Sequence, residues 1–276
     1  MTTIWQSLPR IRTLLRDAEA LGAIVPADLG AAVAASDSIK LAVAQLPEPG
    51  AVLAGGVLNV AGTDDAVALL DEVIDAQTRA AAAGAIRQRA EHIVCDRLVR
   101  RLRDEGGLDD LLDQLRPAVR EALTAISRYA QLVPPGATGA ELLELSPDVA
   151  DAWRAGKAHV GVLNDLLRWL DNAVMVIDPF PPADVVGVPL AARVASFLIA
   201  PGAPLDAAAQ ALVVTNATAD DPVGNRRRLG DLRLNTLAIA RQIIADNAAS
   251  IAAAGIDFTA PTPETRTATA FAQLTD

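Results

Sequence analysis

Two histidines and one cysteine are the chain's whole stock of imidazole and thiol chemistry, and one of each falls in a single segment, EHIVCDRLVRR, at residues 91–101. His92 and Cys95 are three positions apart, so on a helix they occupy adjoining parts of one face. Such a pair serves as part of a zinc shell or as a thiolate beside its base. Zinc wants about four ligands, and the other histidine, His159, is more than sixty positions away. No second His-x-x-Cys or Cys-x-x-Cys occurs, and nothing suggests an orienting third group or an oxyanion donor. With Ile86, Ala90, Val94 and Leu98 as the apolar stripe, His92 falls on the opposite face and Cys95 to one side, partly buried. The nearby charges match at helical spacing: Arg87 with Glu91, Asp96 with Arg100, Arg100 with Asp104, Arg101 with Glu105. The segment is expected to be the charged outer face of a helix.

Asp109, Asp110 and Asp113, in DDLLD, offer a second kind of chemistry. Carboxylates one turn apart share a helix face and suit a hard cation. The stretch resembles the DDxxD motif of class I terpene synthases and prenyltransferases, and the resemblance implies magnesium bound to a diphosphate on an all-helical scaffold. It covers five residues. The companion motif of those enzymes has no counterpart here, since Asn164-Asp165 continues with Arg168 and Asn172. An aromatic content of 3% also leaves little to line a carbocation pocket. Acids in a helix's first turn are favoured by the helix dipole without any metal. Arg226, Arg227 and Arg228 form the densest positive cluster, with Asp220, Asp221 and Asp231 nearby. Salt bridges within or between subunits fit that cluster better than nucleic acid, because no aromatics interleave it. No phosphate loop, nucleophile elbow or His-Glu-x-x-His occurs.

These residues must be carried by helices. The chain has 276 residues, 51% of them hydrophobic, with mean hydropathy +0.28. Its core is expected to be built from Ala, Leu, Val and Ile, and Ala is the best helix former. Lysine occurs only at 40 and 157, a bias that fits a GC-rich genome. A net charge of −10 disfavours nucleic acid and anionic membranes. One cysteine excludes an intrachain disulfide. The opening residues, MTTIWQSLPRIRTLLRD, lack the apolar core of a signal peptide, and no uncharged apolar stretch reaches about 18 residues. A soluble, cytoplasmic protein is the expectation.

The expected fold is all-α: a multi-helix bundle with long central helices, a short β-hairpin near 51–60 and an irregular Pro-rich crossover. Helices are predicted over 7–21, stopped by Gly22, and over 26–46, stopped before Pro47. Gly55-Gly56 in AVLAGGVLNVAG (51–62) signals the hairpin. A long helix from Thr63 to Glu105 is bent at Gly84 and closed by Gly106-Gly107, and another follows over 109–132. Thr138 with Glu141 makes a capping box. Ser146-Pro147 opens a helix whose apolar positions Val149, Trp153, Gly156, Val160, Leu163, Leu167, Leu170, Val174 and Ile177 alternate in steps of four and three. The crossover spans 178–206 with a short helix near 189–199. A short element is expected at 206–215 and a last helix over 229–254. Four regions follow: 1–62, N-terminal helices and hairpin; 63–178, central bundle; 179–257, crossover and C-terminal helix; 258–276, an extended tail.

A hairpin this apolar must tuck into the core or dock on a neighbour. With no catalytic, cofactor or metal constellation in view, the expected function is a non-enzymatic structural or assembly protein. It would act through other protein subunits, as a homo-oligomer or hetero-assembly, without nucleic acid or membrane. Val52, Leu53, Val57, Leu58 and Arg226–Arg228 are the expected interface. In style the chain resembles structural proteins of tailed bacteriophages from GC-rich hosts, implying a place in a virion head or tail. The alternatives are a helical-bundle enzyme holding Mg-diphosphate on Asp109, Asp110 and Asp113, and a regulatory or ligand-binding module with a pocket between helices.

Overall fold

A computed structural model describes residues 7–132, 144, 146–178, 188, 190–205 and 232–249. The protein is all-α, with no strand among the described residues. The elements are α1 (Leu8–Ala20), α2 (Ala27–Ala44), α3 (Pro49–Gly56), a 3₁₀ turn (Val57–Asn59), α4 (Thr63–Asp104), α5 (Gly107–Leu132), α6 (Pro147–Val176), α7 (Leu190–Ser196) and α8 (Leu237–Asp246).

α1 buries Leu8, Ile11, Leu14, Leu15 and Ala18, a one-sided stripe at helical spacing. Its end is a Schellman closure: Gly22 takes φ +95°, and the Ala23 amide donates to the Ala18 carbonyl at 2.9 Å. α4 places Asp64 and Asp65 in its first turn and Arg101 and Arg103 in its last, both favourable to the dipole. Gly62 occupies the N-cap position, and Asp65 accepts from the Ala61 amide at 3.1 Å. Gly106, at φ +78°, turns the chain directly into α5. A Cβ at Gly107 would sit 2.8 Å from the Arg101 carbonyl oxygen, so the turn needs a glycine there.

The core lies where α1, the C-terminal half of α4, α5, α6, α7 and α8 meet. The seam of α6 is buried continuously from Val160 through Leu163, Leu167, Leu170 and Val174 to Ile177. Trp169, 1% exposed, donates its indole N–H to the Leu14 carbonyl at 2.9 Å and so ties α6 to α1. α5 contributes Leu108, Leu111, Leu112, Leu115, Val119, Ala122 and Ile126 despite Pro117 inside it. A buried polar latch holds the approach to α8. Asn235 donates from Nδ2 to the carbonyls of Ser196 and Ile199 at 2.8 and 2.6 Å, and its amide donates to the Phe197 carbonyl.

Three expectations need correction. Residues 51–62 do not form a hairpin: Pro49–Gly56 is helical, and neither Gly55 nor Gly56 takes positive φ. The reason is packing, because Gly56 presses on the Leu69 side chain of α4 where a Cβ would collide. The last helix begins at Leu237 rather than near 229, since the Thr236 hydroxyl accepts from the Ile239 amide as its cap. The buried stripe of α4 is Cys95, Leu98, Val99 and Leu102, while Ile86 stands 63% exposed. The capping box at 138–141, the element at 206–215 and the tail lie outside the described residues.

Candidate functional site

The His92–Cys95 pair is split by the helix. His92 stands in solvent with Nε2 3.5 Å from Asp96, whereas Cys95 is buried. Burial pushes the thiol up to about 11, helped by the neighbouring Asp96 charge, so the thiolate needed for nucleophilic work is disfavoured. The charges around it pair across elements more than along the helix. Glu91 reaches Lys40 of α2 at 3.5 Å. Arg101 bridges Asp28 at 2.7 Å and Asp110 at 2.8 Å, and meets Glu105 only at its backbone carbonyl. The Arg101 hydrogen bond holds the Asp28 carboxyl below its ordinary 3.8.

The three aspartates of DDLLD are each engaged by a different group. Asp109 accepts from the Leu237 amide at 2.7 Å, Asp110 from Arg101, and Asp113 pairs with Arg116 at 2.7 Å. Among the described residues no group of three or more His, Cys, Asp or Glu is placed to hold a metal. Asp109 caps the start of α8, and Asp110 joins α5 to α4 and α2 through Arg101. His159 is half-buried beside the α6 seam. Arg226, Arg227 and Arg228 lie outside the described residues.

Beside Asp109 a half-open groove of about 730 Å³ runs between α5 and residues 232–239. Val119, Leu123, Leu232 and Ile239 form its apolar wall, and Arg116, Arg120 and Arg233 stand around it. Arg116 is used by Asp113 and by the Leu234 carbonyl. The Arg120 and Arg233 side chains make no ion pair among the described residues.

An exposed apolar surface lies elsewhere. α2 and α3 run back along α4, from Asp28 beside Arg101, past Lys40 beside Glu91, to Gly56 against Leu69. Together with the N-terminal half of α4 they make an arm. Its only buried residues are Leu29 and Ser36 of α2 and Ala76 of α4. The charges of α2 are all committed inward: Asp28 to Arg101, Asp37 to Arg12 at 2.5 Å, Lys40 to Glu91. Large apolar side chains face water beyond them. Leu53, Val57 and Leu58 are 43%, 53% and 90% exposed, and Val52 is half-buried. Ala27–Asn59 is also long and apolar enough to cross a membrane by length and composition, and none of its most apolar window is buried.

α4 adds a second exposed set: Val67, Leu70 and Ile74, then Ile86 and Ile93. The sequence shows why these are easily missed. Leu69, Val73 and Ala76 form one apolar stripe and Val67, Leu70 and Ile74 another, so the segment reads as one wide apolar helix. Only α3 and α2 distinguish the covered stripe from the bare one. Comparison with protein-family models, with curated proteins and with solved structures gave no match.

Proposed function

We propose that the protein is a non-enzymatic assembly component that works through contacts made by the arm. The observation carrying this reading is the set of exposed large apolar side chains on the arm, Leu53, Val57, Leu58, Val67, Leu70 and Ile74, joined to a body that already has its own core. Contiguous apolar patches of this kind are rare on monomers and mark interaction sites. Residues 49–63 contain no charged side chain, so the arm's tip suits an apolar partner surface. Composition extends the reading to a head or tail protein of a tailed-phage virion from a GC-rich host, working inside the cytoplasm until it is packaged. Portal, capsid or tail genes as neighbours would support that extension, and neighbours of metabolic function would count against it.

The direct test is mass photometry of the purified chain, alone and in lysate from its source. Self-association or a recovered protein partner is expected, and Leu58→Ser should weaken it. A strictly monomeric chain that recovers no partner removes the reading.

The groove favours one second reading, a module that binds an amphipathic anion. Its arginines would take a carboxylate or phosphate and its apolar wall a hydrocarbon body. Native mass spectrometry should then find a co-purifying small acid whose occupancy falls in Arg120→Ala.

A further inference from the structure

We infer that the bare face of α4 pairs antiparallel with the same face of a second copy of this chain, about a two-fold axis near residue 80. The inference rests on the assembly reading and assigns a second copy to the α4 face, a surface separate from the tip at Leu58. Its ground is the segregation of charge along residues 64–89 of α4, ahead of the mixed charges of 91–104. Residues 64–75 carry Asp64, Asp65, Asp71, Glu72 and Asp75 and no base, while 79–89 carry Arg79, Arg87 and Arg89 and no acid. Asp75 and Arg79 pair with each other within the chain. Asp71, Glu72, Arg87 and Arg89 make no ion pair among the described residues. Of these four, Asp71 and Arg89 lie on the bare face, and a face with an acid towards one end and a base towards the other is complementary to itself when reversed.

The register follows from helix geometry. Asp71 and Arg89 are separated by five full turns, so they lie on one line along the helix. Thr78, Ala82 and Ala85 fall near that line, all exposed and small enough for another helix to come close. Val67 and Ile74 flank the line towards the N-terminus, and Ile86 and Ile93 towards the C-terminus. An axis at the midpoint sets Asp71 of each copy opposite Arg89 of the other, giving two equivalent ion pairs in an isologous interface, while the exposed Asp64 and Asp96 fall opposite each other just beyond the ends of the apolar strip. Parallel pairing would set acid against acid. A strip about 40 Å long and about 12 Å wide covers on the order of 1,000 Å² over both partners, the threshold for a specific interface. The dimer is therefore concentration-dependent. A lipid surface suits the face less well, because its first half is acidic and anionic headgroups repel it.

Sedimentation velocity across micromolar to millimolar concentration tests the pairing. Asp71→Arg and Arg89→Asp should each weaken self-association by about tenfold or more, since each places like charges together twice. The double variant D71R/R89D should return it to near the original value. Spin labels give the direction: on Ala81→Cys, exposed at the edge of the strip, they should lie within about 20 Å of each other, and on Ala68→Cys about 35–40 Å apart. Buried Cys95, with its thiol pushed up to about 11, stays unlabelled. Equal distances at the two positions would overturn the antiparallel arrangement. A dimer untouched by D71R would overturn the interface while leaving the assembly reading standing. A chain that stays monomeric, or that instead binds neutral phosphatidylcholine vesicles through α4, overturns the pairing.

Discussion

The two halves of α4 are one continuous helix in two different environments. From Cys95 to Leu102 the helix buries four side chains against α1 and α5 and belongs to the body. From Thr63 to Arg89 it buries one, Ala76, and is covered on one side by α2 and α3. The body buries most of its large apolar side chains within the chain, as an independently stable fold must. The arm is also largely apolar, richer in Ala, but leaves its large side chains outside. The difference shows that apolar content alone does not make a core; a third and fourth helix are needed to enclose it, and the arm has only two layers.

The sharpest way to break this contrast is to empty the body. Trp169→Ala removes a fully buried ring and its hydrogen bond to Leu14, so a loss of about 4–5 kcal/mol is expected in urea unfolding. A loss under about 1 kcal/mol would mean that the body is not the stable part. Asn235→Ala comes next. It strips partners from the Ser196 and Ile199 carbonyls in a buried place, and about 2–3 kcal/mol should follow. Asp109→Ala, which uncaps the start of α8, should cost about 1 kcal/mol. If magnesium raises the melting temperature and that variant abolishes the rise, the aspartates have a ligand role beyond capping.

How far these elements were legible depended on how local their causes are. The end of α1 at Gly22, the span of α4 and the start of α6 at Ser146-Pro147 rest on neighbouring residues, and the sequence places them within a residue or two. The buried seam of α6 was equally plain, because its period of four and three has one structural meaning. The helix through Gly55-Gly56, where a hairpin was expected, was not recoverable from sequence. Two glycines permit positive φ without requiring it, and only contact with Leu69 decides for a helix. The start of α8 was misplaced for the same reason, since Asn235 is fixed by carbonyls some forty positions away. The groove was invisible, being assembled from residues 116–127 and 232–239. Arg101 was expected to pair with Glu105, but its carboxylate partners are Asp28 and Asp110.

That ion pair joins arm to body, and pH weighs it. Asp28 has its folded pKa lowered below 3.8, so its contribution is complete above that value and drains away as pH falls through the lower folded pKa. Asp104, lowered by Arg103, behaves the same way. Arg101→Met should destabilise by at most about 1 kcal/mol near neutrality, because Asp28 and Asp110 are half exposed and solvent screens them. The gap between wild type and variant should narrow as the solution is acidified below 3.8. A gap that widens on acidification would assign Arg101 some other role.

The smallest effect is expected at the arm's tip. The Leu58 side chain is 90% exposed, so Leu58→Ser removes no burial and should shift unfolding of the dilute chain by less than about 0.5 kcal/mol. Set beside Trp169→Ala, the same measurement spans both extremes of the contrast. A polar replacement that is neutral for folding yet weakens association separates the two uses of an apolar residue, because packing in the body is charged to stability and packing on a partner is charged to affinity. If Leu58→Ser instead destabilises the dilute chain by about 2 kcal/mol, the tip is covered within its own molecule and the arm is a second core rather than a surface.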